Sequence, residues 1–115
     1  MANTFKLITK AGVTSADVIY TVAGSTTTVI LGLIIGNTTS SSINATVTLG
    51  TDTGSREGAN NESNQDVELI TTTPIPGNST LELLAGNKVV METTDTLSVT
   101  GSGAVDVALS IMEIT

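Results

Sequence analysis

The chain has 115 residues and a formal charge of −7, and only 13% of its residues are charged, about half the ~25% usual in soluble domains. That length suits one domain with one core. With no histidine, no cysteine and only four Lys or Arg, the composition excludes disulfides, thiolate and zinc–thiolate chemistry, and the usual nucleophile–base pairs. It also lacks the clustered cations that nucleic acids and anionic membranes attract, so neither is an expected partner.

One Phe, one Tyr and no Trp leave an aliphatic core as the only option. Period-two alternation with β-branched residues runs through most of the chain and marks half-buried strands. In chain order it predicts strands over 4–9, 17–22, 27–36, 43–50, 67–72, 80–84, 88–92, 96–100 and 104–114. In "DVIYTV" the inward set is Val18, Tyr20 and Val22; in "INATVTLG" it is Ile43, Ala45, Val47 and Leu49. Phe5 and Tyr20 are both expected to alternate into the core. The intervening "AGST", "TTSSS", "GN" and "GSG" are turn chemistry. "PIPGNS" predicts a type II bend, with Pro76 presetting φ and Gly77 supplying the positive φ. Together these signals predict an all-β chain: one antiparallel β-sandwich, jelly-roll or immunoglobulin-like, of eight or nine short strands.

Three segments stand out. In "TTTVILGLIIGNTT" alternation puts Val29, Leu31, Leu33 and Ile35 on the interior face and Ile30, Gly32, Ile34 and Gly36 on a notched apolar second face. Such a strand is expected to be covered on both sides, by the opposite sheet and by either the chain's own loop or a second subunit. Residues 51–66, "TDTGSREGANNESNQD", hold no aliphatic residue larger than Ala and read as a long polar loop, a solvated flap or a clasp. In the last strand Val105, Val107, Leu109 and Ile111 keep phase until Glu113 falls where an apolar residue is expected. A β-bulge near Ile111 and Met112, or a strand end inserted into a neighbour, would leave that trace.

Catalytic and ligand-binding motifs are missing. Glu82 and Glu92 are the carboxylates a glycosidase reading would use, but aromatic sugar platforms are lacking and both suit solvent-facing positions. From Asp52, "DTGSREGANNE" has oxygen ligands without calcium-loop spacing. "GSGA" and "GTDTG" lack the lysine and helix of a phosphate loop. Sequons at Asn37, Asn44, Asn61 and Asn78 follow from the abundance of Ser and Thr. No catalytic, cofactor-binding or metal-ligating residue is expected. "MANTFKLITK" has no apolar stretch of signal-peptide length, so usual-route export is not expected. The apolar run 29–35 is far shorter than the ~20 residues of a membrane span.

The stretches "MANTFKLITKAGVTSADVIYTVAGSTTTVILGLIIGN" and "PIPGNSTLELLAGNKVVMETTDTLSVTGSGAVDVALSIMEI" resemble small β-sandwich virion structural proteins of tailed bacteriophages. The resemblance spans most of the chain except the 51–66 loop and brings no catalytic residue with it. It implies a non-enzymatic virion component, assembled in the host cytoplasm. The first expectation is a capsid decoration or cement protein, bound in many copies to the major capsid protein or neighbouring virion proteins and forming a homo-oligomer. A neck, tail or fibre-associated protein is the alternative within that class, and a cell-surface adhesion module the alternative outside it. The candidate interface residues are Ile30, Gly32, Ile34, Gly36, Met112 and Ile114.

Overall fold

A computed structural model describes residues 2–51, 66–84 and 86–115. Nine strands are present among them: β1 (Asn3–Val13), β2 (Asp17–Thr21), β3 (Thr27–Asn37), β4 (Ile43–Gly50), β5 (Asp66–Ile75), β6 (Ser79–Leu83), β7 (Val89–Met91), β8 (Thr96–Gly101) and β9 (Val105–Ile114). Most of the predicted 51–66 loop lies outside the described residues. All strand pairs are antiparallel. One sheet has the order β1-β9-β3-β6, with β7 also paired to β3, and the other has the order β2-β8-β4-β5. The pairs β1–β9, β2–β8, β3–β6 and β4–β5 are nested inside one another and alternate between the sheets. That is jelly-roll connectivity, to which β7 adds one short strand.

The two inner faces meet in one aliphatic core. Ile30, Leu33, Ile35, Leu109 and Ile111 from the five-stranded sheet pack with Val47, Ile75, Leu97 and Val99 from the four-stranded sheet, all at most 1% exposed. Neither aromatic is among the fully buried residues. Buried polar groups are bonded rather than abandoned. Asn37, 2% exposed, donates from Nδ2 to the carbonyls of Ser41 (2.8 Å) and Ile75 (2.9 Å) and accepts from the amide and hydroxyl of Thr39. It ties the β3–β4 connection to the end of β5, and its burial removes the first sequon from any use as an acceptor.

Four expectations are corrected here. The phase of β3 changes midway: Ile30 faces Ile111 and Gly32 faces Ser110, leaving Leu31 unpaired as a bulge. The inward set is therefore Thr28, Ile30, Leu33, Ile35 and Asn37, all buried, while Val29 and Leu31 are only half-buried. Ile30 belongs to the core and not to a second face. The last strand has no bulge of its own at Ile111 and Met112: its register with β1 is unbroken there, and the irregularity in its pairing with β3 is the Leu31 bulge, opposite Ser110 and Ile111. Glu113 does turn inward, and a polar seam receives it. Phe5 is 71% exposed, so it does not enter the core. In the "PIPGNS" turn, Asn78 takes the positive φ (58°). Gly77 does not; a Cβ there would collide with the Ser40 backbone, and close approach explains the glycine.

Candidate interaction face

The site is built from the outer face of the five-stranded sheet, and its orientation is decided at β1. Side chains alternate along "TFKLITK", so either Phe5 and Leu7 or Lys6, Ile8 and Lys10 must point inward. Hydrophobicity favours the first choice, and the structure takes the second. Lys6 Nζ lies 2.7 Å from Glu113 Oε1, and Lys10 Nζ lies 3.7 Å from Asp17 Oδ2. Ile8, between them, packs against the core. These pairs line the open side of the sandwich, where edge strands β1 and β2 face each other.

The seam continues inward from Glu113. The Tyr20 hydroxyl donates to Glu113 Oε2 at 2.5 Å and lies 2.7 Å from Thr28 Oγ1. Its single proton is committed to the carboxylate, so the Thr28 hydroxyl donates to the phenol oxygen. Burial, reinforced by the bond to Glu113, pushes the Tyr20 pKa up to about 12. Hydrogen bonds from Lys6 and then Tyr20 hold the Glu113 carboxyl below its ordinary value. Tyr20 stays protonated and Glu113 stays ionised around neutral pH, so neither group is poised to exchange a proton there. Among the described residues there is no group of three or more Asp or Glu placed to hold a metal ion.

With Lys6, Ile8 and Lys10 turned in, Phe5 and Leu7 turn out. Phe5 faces Met112, Met112 faces Val29, and Val29 faces Val90, so one apolar row crosses four strands. Phe5, Leu7, Val90 and Ile34 are 71%, 66%, 57% and 44% exposed. Ile114 sits at one end of this face, opposite Asn3 and Thr27. Toward the other end, Ile34 pairs with Ala108, and Gly36 beside it opens a shallow recess lined also by Thr9 and Ala11. A contiguous exposed apolar face is informative in a way that scattered apolar residues are not.

The structure thus brings together five of the six candidate interface residues. Gly32, Ile34, Gly36, Met112 and Ile114 share the outer face, and Ile30 lies in the core. Gly32 has open space above its Cα rather than a close neighbour. The alternation missed Phe5, Leu7, Val29 and Val90. The available signal was Glu113: an inward carboxylate needs an inward cation, and the β1 lysines are the ones within reach. Glu82 is exposed and Glu92 half-buried; they are not part of this face's apolar row.

No family model and no curated protein matches the chain. Among solved structures, it is similar to a chain from work described as "Bacillus endospore appendages form a novel family of disulfide-linked pili", at 13% identity and a TM-score of 0.48. The alignment covers 97% of this chain and 84% of that one. A likeness at that level carries no functional argument.

Proposed function

We propose that this protein is a non-enzymatic structural component that works by packing the outer face of its five-stranded sheet against other protein subunits. The observation that carries the reading is the cross-sheet row Phe5, Met112, Val29 and Val90, with Leu7 and Ile34 beside it. A lone molecule would leave Phe5, Leu7, Val90 and Ile34 largely in water. The low charge content points the same way, because self-association is weakly opposed. The sequence resemblance to tailed-phage β-sandwich proteins supplies the finer reading. The protein decorates or cements the capsid in many copies, with the major capsid protein and neighbouring virion proteins as partners.

Lysine-directed cross-linking of intact particles tests this. Lys6 and Lys10 along β1 and Lys88 just before β7 are all exposed. Adducts to the major shell protein are the expected result, and adducts confined to neck or tail proteins would move the protein there. Finding it only outside particles would overturn the virion reading. Because the contact is apolar, the protein should stay bound through washes up to about 1 M salt, where the Debye length is only ~3 Å. Stepwise release with salt would show an ionic attachment instead.

A further inference from the structure

The two sheets have four edges between them, and three are interrupted. β2 is five residues long with a register shift between Val18 and Tyr20. β5 has two register shifts, a positive φ at Thr72 (42°), and Pro74, which has no amide hydrogen to offer. The far edge of β3 is covered by two short strands, β6 and β7, of five and three residues. β1 is different. It holds one unbroken register with β9 from Asn3 to Lys10, and the chain departs from it only beyond, near Gly12 (φ 69°).

The direction of the free backbone groups follows from one pair. Ala2 and Thr115 exchange both hydrogen bonds, at 3.2 and 3.0 Å. Antiparallel ladders alternate bonded and non-bonded pairs, so Thr4, Lys6, Ile8 and Lys10 bond to β9. Asn3, Phe5, Leu7 and Thr9 then point their N–H and C=O groups away from the sheet, and among the described residues none caps them. Phe5 and Leu7 also carry the two most exposed large apolar side chains. A long regular edge of this kind is a template for another strand.

We propose that β1 pairs antiparallel with β1 of a second copy about a two-fold axis at Leu7, joining two five-stranded sheets into one continuous sheet. Among the described strands no other edge offers an unbroken run of matching length, so an isologous contact uses the same strand twice. The lysines choose the register. An axis at Lys6 would set Lys6 against its own copy, and an axis at Ile8 would set Lys6 against Lys10; like charges directly opposite repel. An axis at Phe5 separates the lysines but overlaps only residues 3–7. An axis at Leu7 overlaps residues 4–10, sets Lys6 against Ile8 and Lys10 against Thr4, and makes Leu7–Leu7 and Phe5–Thr9 the hydrogen-bonded pairs. The joined sheet gathers Phe5 and Leu7 of both copies at the centre of one outer face. This pairing stands independently of the virion reading.

Cysteine substitution reads the axis directly, since the chain has no cysteine of its own. In a bonded antiparallel pair the Cα atoms lie ~5.5 Å apart, within disulfide reach. Under mild oxidation of dilute protein, Leu7→Cys should give mostly covalent dimer, while Phe5→Cys and Val90→Cys, at a position that is also well exposed, should give little. Sedimentation should find a dimer for the unsubstituted protein. Leu7→Asp, which sets two carboxylates on the axis, should raise the dimer dissociation constant at least about tenfold with an unchanged far-UV spectrum. A monomer at every concentration, or cross-linking of Leu7→Cys no faster than Val90→Cys, would overturn the proposal. So would a monomer whose Leu7→Asp variant loses particle binding, because the edge would then take a strand of the shell protein.

Discussion

The outer face of the five-stranded sheet carries Phe5, Leu7, Val29, Ile34, Val90, Met112 and Ile114, with Glu82, Asp106 and Ser110 among them, whereas that of the four-stranded sheet carries Thr46, Thr48, Thr96, Ser98 and Thr100, with Val18 as its one large exposed apolar side chain among the described residues. Both sheets contribute aliphatic inner faces to the same core, so core packing cannot account for the difference. A Thr and Ser face suits water and strand propensity together. An apolar face of similar size is stable in water only as a cost, and it becomes favourable once something covers it. The inner faces explain why the chain folds, and the contrast between outer faces is what the proposed contact rests on.

The largest expected effect separates inside from outside within one sheet. Leu109 is fully buried and Leu7 is 66% exposed. Leu109→Ala should cost about 2–5 kcal/mol through lost transfer energy and a cavity. Leu7→Ala should stay within about 0.5 kcal/mol for the isolated protein. Denaturant melts of both variants check this, and equal losses would mean that β1 is oriented the other way.

Next is the seam that sets that orientation. Tyr20→Phe removes the partner of the fully buried Thr28 and one donor to Glu113. A loss of about 1–3 kcal/mol is expected, the usual cost of leaving a buried polar group unpaired. The pH dependence follows from the two shifts. Glu113 is held below its ordinary value, so its contribution is present above the unfolded carboxyl pKa and is lost as pH falls through the folded one. Tyr20 is raised from 10.0 to about 12, so its contribution is complete below pH ~10 and disappears as pH rises toward ~12. Thermal melts should show a plateau between these limits. Glu113→Gln should flatten the acid limb and Tyr20→Phe the alkaline one, and unchanged limbs in both variants would remove the seam from the account.

Much of this fold is legible in the residues. All nine strands fall within a few positions of where alternation places them, most clearly where β4 and β8 each have one apolar and one polar side and where β9 keeps an apolar inner side from Val105 to Ile111. The phase of β3 was not legible, since "VILGLII" is apolar at every position except its glycine and fits either register. Only pairing with β9 exposes the bulge at Leu31. The orientation of β1 was hidden for a related reason. Lys6 and Lys10 read as solvent-facing until Glu113 and Asp17, distant in sequence, are placed beside them. The candidate face was thus half legible. Its glycine-notched part is local to one strand, while its Phe5 to Val90 row exists only across four.

A smaller effect compares matched changes on the two outer faces. Ile34→Asp and Thr48→Asp each put a carboxylate on an outward position. Ile34 stands opposite Glu82 and Thr48 opposite Glu68, so each change sets two carboxylates side by side, and both variants should fold with a similar loss of about 1–2 kcal/mol. Their assembly should differ, because burying an unpaired carboxylate costs several kcal/mol. Loading onto particles should fall sharply for Ile34→Asp and hardly change for Thr48→Asp. Equal loading would place the contact elsewhere.

The smallest effect has the opposite sign. Gly32 lies on the outer face opposite Ser110, and a Cβ built there meets no heavy atom within 4 Å. Its φ is not among the positive values, so an L side chain fits the backbone without strain. Glycine within a strand costs conformational entropy, roughly 0.5–1 kcal/mol relative to Ala. Gly32→Ala should therefore stabilise the isolated protein by up to that amount and raise its melting temperature by a few degrees. In the contact proposed above, the same methyl group would stand in the notch of the covered face. The variant should then melt higher alone yet load onto particles less well. Higher stability with undiminished loading would show that Gly32 faces water in the assembly, and the contact would contract to the row from Phe5 to Val90.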